Sequence, residues 1–185
     1  SPDGSKIVYV TYEEVNGVSR HSIYTTNVDG SSKTRITPLE PTYNNVFNQP
    51  ALPYYAGPLW NPTSTKIVFL RFANSWTLYS VNADGSDFAQ VSTGQTSQGS
   101  YSWSPDGSKL AYVSDELDPG ESDLWTLASN GTKTRVTTYG AQSIGPSQPV
   151  WSPDGTKLAW VFNNGNTSAK SVVTANADGT NLHQK

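Results

Sequence analysis

The sequence predicts an all-β protein, a β-propeller made of four repeats of a four-stranded antiparallel blade. Three observations predict it. A ten-residue phrase recurs as SPDGSKIVYV from Ser1, NPTSTKIVFL from Asn61, SPDGSKLAYV from Ser104 and SPDGTKLAWV from Ser152. A second phrase answers each copy: IYTTNVDG ends at Gly30, LYSVNADG at Gly85, LWTLASNG at Gly131 and VVTANADG at Gly179. No stretch carries apolar residues at helical spacing. Two phrases interleaved at a period of roughly 45 residues mean one supersecondary unit repeated, within the range of a propeller blade. The region 1–185 is read as one propeller, with repeats at about 1–56, 57–99, 100–147 and 148–185.

The third copy shows the elements most plainly. Tyr101-Ser102-Trp103 alternates apolar and polar residues and predicts a short strand, a. Ser104-Pro105-Asp106-Gly107 predicts a turn: proline presets φ, aspartate bonds back to the backbone and glycine accepts a positive φ. Lys109 to Val113 is strand b, apolar on both faces, as suits a strand buried on both sides. Ser114 to Ser122 is a polar loop, and Asp123 to Leu127 is strand c. Asn130-Gly131 makes a second tight turn. Lys133 to Thr137 alternates and is more polar, as befits an outer edge strand, d. Sheets apolar on both faces must stack on one another, and a radial stack of four-stranded sheets is a propeller. A β-sandwich would explain short strands and turns but not the fixed repeat.

The phrase Trp-Ser-Pro-Asp-Gly-x-Lys-Leu-Ala, at Trp103 to Ala111 and Trp151 to Ala159, resembles the TolB-type β-propeller repeat, which Ser1 to Val8 joins in mid-motif. Copy two departs from it: Asn61-Pro62-Thr63-Ser64 lacks Asp-Gly, which predicts a different turn. The resemblance implies the fold. It says little about activity, because similar propellers serve as periplasmic scaffolds, as surface proteins and as gates on serine peptidases.

Copy one lacks strand a, and the chain ends just after strand c of copy four, with Asn181 to Lys185 as a candidate strand d. Open sheet edges invite pairing. The expectation is therefore part of a larger or assembled ring. The absence of methionine and the start inside a repeat favour a processed chain or a piece of a longer protein.

The net charge of −3 argues against a general nucleic-acid or acidic-membrane surface. No apolar run approaches the ~20 residues that span a bilayer. With no cysteine, disulfides and thiolate metal sites are excluded. A chain rich in Ser, Thr, Asn, Tyr and Trp with few charges fits an extracytoplasmic protein: periplasmic, cell-surface or secreted. Asn130 and Asn166 open N-glycosylation triplets, in keeping with secretion.

Strand alternation places the short a–b and c–d turns on one end and the variable b–c and d–a loops on the other. The copies start 60, 43 and 48 residues apart. The excess in copy one lies in Tyr12 to His21 and, above all, in Pro38 to Gly57. Variable loops on a rigid frame are the usual place for recognition. Tyr43, Phe47, Tyr54 and Tyr55 stand in the longer insertion among prolines. Two readings of them are open: anchors for a protein partner, or rings that pack the loop onto its own blade. Glu116 and Asp118 join them as candidate partner contacts on the acidic loop that also holds Asp115, Glu121 and Asp123. That loop does not match the spacing of a calcium loop, so no metal is expected. Trp60, Trp103 and Trp151 precede the a–b turns and are read as packing between blades.

Catalytic residues and cofactors are not expected. There is no nucleophile elbow and no phosphate-binding glycine loop. His21 and His183 are the only histidines, both expected in loop or end positions. The sequence leaves open a glycosidase-type carboxylate pair. The reading reached is a non-enzymatic extracytoplasmic scaffold that binds a protein partner. Self-assembly as a surface layer or filament, a propeller gate of a serine peptidase, and glycan binding through the aromatic loop are its alternatives.

Overall fold

The computed structural model describes residues 1–15, 18–38, 43–44, 50–51, 54–97, 99–139, 145–163 and 170–185, with backbone alone at 15, 18–19, 43–44 and 50–51. Among these residues every regular element is a strand. The contacts divide the chain into two compact units, Ser1–Val91 and Ser92–Lys185.

In the first unit, β1 (Lys6–Val15), β2 (Val18–Asn27) and β3 (Thr34–Arg35) form a three-stranded sheet. A two-residue pair, β4 (Tyr43–Asn44) and β5 (Pro50–Ala51), follows. Then β6 (Tyr54–Trp60), β7 (Lys66–Phe72), β8 (Trp76–Asn82) and β9 (Ala89–Gln90) form a four-stranded sheet. The second unit holds two more four-stranded sheets. One comprises β10 (Tyr101–Trp103), β11 (Lys109–Ser114), β12 (Asp123–Ala128) and β13 (Lys133–Arg135). The other comprises β14 (Gly145–Trp151), β15 (Lys157–Asn163), β16 (Lys170–Asn176) and β17 (His183–Gln184). All pairings are antiparallel and sequential, as the phrase order requires.

Burial explains the stacking. In the second unit, Ala111, Val113, Leu124 and Val136 of one sheet meet Leu158, Trp160, Phe162 and Val173 of the next in one apolar cluster. The Trp160 indole donates to the Tyr139 hydroxyl at 3.2 Å, so its polar atom is not orphaned. Trp151, at the end of β14, packs on the same cluster and donates to the Ser102 carbonyl of the neighbouring sheet at 3.1 Å. In the first unit Trp60 packs with Ile23, Ile36, Ile67 and Phe69. These two tryptophans thus tie sheet to sheet. Strands β6 and β14 share one irregularity. Each bulges between Ala56 and Leu59 or between Ser147 and Val150, where Pro58 and Pro149 supply no ladder N–H.

The a–b turn of copy two does not differ as its sequence predicts. The amides of Gly4, Gly107 and Gly155 donate back to Ser1, Ser104 and Ser152 at 2.8–2.9 Å, and the amide of Ser64 does the same to Asn61 at 3.0 Å. Ser64 holds φ 58° where Gly107 holds 71°. Asn61 makes this possible. Its Oδ1 accepts from the amides of Thr65 and Lys66, both at 2.9 Å. In copy three Asp106 and Ser104 share those tasks, accepting from Ser108 and Lys109. An asparagine side chain thus does the work of two residues, and a serine carries the left-handed backbone.

Left-handed backbone costs an L-residue roughly 1–2 kcal/mol. Ser64→Gly is therefore expected to stabilise the protein by about 1 kcal/mol and Gly107→Ala to destabilise it by a similar amount. Chemical denaturation of the two variants checks this. Equal, same-sign shifts would refute it.

Candidate functional site

Strands β1 and β2 are ten residues each, against six or seven for the b and c strands elsewhere. The excess Tyr12–His21 stretch is therefore an extended hairpin rather than a loop, and His21 lies within β2. Register sets Tyr12 opposite His21. Their rings meet edge to face at 4.1 Å between centroids. On its other side His21 meets Tyr54, at the start of β6, at 4.5 Å. Tyr54 pairs with Phe72, and Phe72 with Trp76, across β6, β7 and β8. Their rings follow at 6.4 Å and 5.1 Å. Five rings thus form one continuous row at the loop end of the first unit. The row joins the two insertions of copy one that the sequence singles out.

The row is part surface and part support. Tyr12 is 70% exposed and Tyr54 47% exposed. Both ring nitrogens of His21 are buried without a hydrogen-bond partner. Burial holds the His21 imidazole below the ordinary histidine range, because the charged form would leave two donors unsolvated. On the opposite face of the hairpin, Glu13 accepts from Ser22 and Tyr24 and from Arg35 at 3.2 Å. Burial alone would raise the Glu13 carboxyl, but these hydrogen bonds outweigh it and hold it low. One face of the hairpin is thus fixed by a carboxylate while the other presents aromatic rings.

The remaining predicted contacts fall in different places. Tyr55, next to Tyr54 in the strand, points the other way and is buried edge to face on Phe69 at 5.7 Å. For Tyr55 the packing reading is the one that holds. Tyr43 lies in β4, where only backbone is described, and Phe47 and Asn166 lie outside the described residues. Asn130 is exposed in the β12–β13 turn, its side chain accepting from the Thr132 amide at 3.0 Å.

The acidic loop of the second unit is spent on structure. Glu116 accepts from Lys133 at 2.8 and 2.9 Å, from the Tyr112 hydroxyl at 2.9 Å and from the Thr93 amide at 3.3 Å. Burial first, then the Glu116 charge, pushes the Tyr112 phenol up. Asp115 takes the amides of Gln95 and Gly120. A Cβ at Gly94 would lie 2.5 Å from Asp115 Oδ1 and 2.6 Å from the Glu116 nitrogen, so only glycine permits this approach. Asp123, 2% exposed at the side chain, binds Arg135 through two nitrogens and takes Thr137 Oγ1 and the Tyr139 amide, both at 2.9 Å. Asp118, 53% exposed, adds only a 3.3 Å contact to Arg135. Among the described residues no three His, Cys, Asp or Glu side chains are placed to hold a metal.

Repeated antiparallel sheets with inward-stacked b and c strands define a β-propeller repeat protein. The sequence pattern of the TolB beta propeller domain matches residues 1–184, and the chain belongs to that family. Solved structures share the fold. TolB from Acinetobacter baumannii is 19% identical, with a TM-score of 0.62 over 99% of this chain and 41% of its own. An oligogalacturonate lyase in complex with manganese is 15% identical, with a TM-score of 0.66 over 97% of this chain and 49% of its own. A prolyl endopeptidase is 12% identical, with a TM-score of 0.63 over 98% of this chain and 29% of its own. This chain spans less than half of each of these three. No curated protein matches it by sequence. Among the described residues no helix is long and apolar enough to cross a membrane.

Two measurements test these assignments. Asp123→Ala removes the acceptor of Arg135, of the buried Thr137 hydroxyl and of the Tyr139 amide and is expected to cost about 3–5 kcal/mol in denaturation, whereas Asp118→Ala costs less than about 1 kcal/mol. The His21 effect has the same sign as that of a depressed carboxylate but sets in at a higher pH. Its folded value lies below the 6.5 of the free side chain, so the unfolded chain takes the proton first. Stability is therefore expected to fall as pH drops below 6.5, before Glu13 begins to titrate, and His21→Phe should flatten that part of the curve. A wild-type melting temperature that stays constant from pH 7 to 5 would contradict the burial of His21.

Proposed function

We propose that this chain is a non-enzymatic binding scaffold that acts outside the cytoplasm and engages a protein partner through the loop end of its blades. One observation carries the reading. The two insertions of copy one converge on a single row of aromatic rings, exposed at Tyr12 and Tyr54 and stiffened by a sheet beneath. Rings already held in place lose little entropy on binding, which is why aromatic anchors dominate protein contacts. The described acids of the second unit support the non-enzymatic reading. Glu116, Asp115 and Asp123 are each engaged by donors from this chain. The extracytoplasmic assignment is supported by composition and by the triplet at the exposed Asn130.

Self-association is a second reading, with its own observation. Ile7 is 47% exposed, while Ile67, Leu110 and Leu158, at the same place in the repeat, are 0–1% exposed. Val172 is 56% exposed, while Ile23, Leu78 and Leu124 are fully buried. Those two faces have the chemistry of blade packing.

A photo-crosslinking amino acid at position 54, at the loop end, and another at position 84, at the turn end, separate the readings. Position 54 is expected to capture one protein from envelope or secreted fractions of the source organism, and position 84 none. Capture from position 84 alone would sink the loop-end assignment. A crosslink to a second copy of the chain would move it to self-association.

A further inference from the structure

We propose that the aromatic row Tyr12, His21, Tyr54, Phe72 and Trp76 docks an extended proline-rich segment that carries a basic residue beside Glu14. The inference deepens the protein-binding reading and rests on it.

The first argument is polarity. The His21 nitrogens are buried and Phe72 has no polar atom, so apart from the Tyr12 and Tyr54 hydroxyls and the Trp76 indole N–H the row presents ring surface. A ligand rich in N–H or O–H groups would find few partners there for the water it loses, at a cost of roughly 1–3 kcal/mol per unmatched group. Proline has no amide proton to strand. A polyproline II segment makes no internal hydrogen bonds and is already ordered, so it loses little entropy on docking against aromatic rings.

The second argument is charge. Glu14 lies two residues beyond Tyr12 on β1 and so faces the same side of the strand. It is exposed, and no cation pairs with it among the described residues. The other acid of the hairpin, Glu13, is already matched by Arg35 on the opposite face. A free carboxylate at one end of an apolar row favours a cationic residue at one end of the ligand and opposes nucleic acid.

The third argument is rigidity. Tyr12 and His21 are a cross-strand pair, as are Tyr54 and Phe72 and then Phe72 and Trp76. The backbone ladder therefore sets the spacing of the rings before any ligand arrives.

The test uses an arginine-capped octaproline peptide, followed by calorimetry and by chemical-shift mapping on the whole chain. Saturable binding is expected, with shifts confined to the hairpin and to the start of β6. Tyr12→Ser and Tyr54→Ser, with melting temperatures near wild type, should each weaken it at least about tenfold, or ~1.4 kcal/mol. Replacing the arginine caps with glutamate should weaken binding to the wild type, and Glu14→Gln should remove that preference. Absence of saturable binding, or binding indifferent to both tyrosines, overturns the inference. Binding of maltohexaose in place of the peptide overturns it in favour of a glycan. If position 54 crosslinks a protein partner while the peptide fails, this inference falls and the protein-binding reading stands. If the peptide binds but position 54 captures no protein, the docking inference stands and only the expectation of a partner in those fractions falls.

Discussion

Every other feature of this chain depends on burying both faces of strand b. On β7 the consecutive residues Ile67, Val68, Phe69 and Leu70 are all 0% exposed, so both faces of that strand are covered. Fully burying one such side chain contributes about 1.5–3 kcal/mol, whereas an ordinary hydrogen bond nets about 1 and an exposed ion pair less. Stacking of sheet on sheet therefore contributes more to stability than any other interaction in the chain. It explains why the repeated phrase is apolar in consecutive positions rather than alternating. It also explains why one blade is not a stable unit by itself.

Stacking alone leaves the loops unplaced, and buried carboxylates supply what apolar contact cannot. Asp123 joins strand c to strand d and to the following segment through Arg135, Thr137 and the Tyr139 amide. Asp115 and Glu116 hold the segment at Gln95 and Thr93. Apolar burial has no directional preference, whereas a carboxylate with four acceptor sites fixes position and orientation. The acidic loop is thus a set of clamps that locate backbone. At the turn end, exposed aspartates have a smaller version of the role. Hydrogen bonding, first from Ser104, holds the Asp106 carboxyl at about 2 and keeps it an acceptor at any ordinary pH.

The strands and turns could be read from the sequence because they follow local rules. Lys109 to Val113 and Asp123 to Leu127 emerge within a residue of β11 and β12, since two-sided burial and turn chemistry both leave marks in short windows. The turn at Ser64 escaped that reading because the compensation comes from Asn61, whose side chain reaches past the turn to the amides beyond it. The aromatic row proposed as a binding surface was readable only in part. Copy spacing pointed to both insertions, but not to their meeting. The His21–Tyr54 contact joins residues far apart in sequence. Tyr54 and Tyr55 look alike as letters and differ only in which side of β6 they face. The acids of 115–123 gave the opposite error: clustered charge suggested an exposed contact at Glu116, and the donors that engage it, Lys133, Tyr112 and Thr93, come from three separate segments.

The two ends of a blade are under unequal constraint, and this is the physical ground for proposing recognition at one of them. At the turn end, a residue at positive φ and a side-chain acceptor must appear at fixed places, or the hairpin loses its register. Copy two shows how narrow that freedom is, since even without Asp-Gly it rebuilds the same backbone. At the loop end no such rule applies. The b–c and d–a connections need only span the distance between strands already held by stacking. Length added there lowers stability slowly, by roughly 0.6 kcal/mol for each doubling of a loop. Copy one lengthens both connections, and the sheet below holds Tyr12, His21 and Tyr54 from those stretches in one row. Tolerance of change at this end fits one fold that includes a TolB, a lyase and a peptidase among its structural relatives.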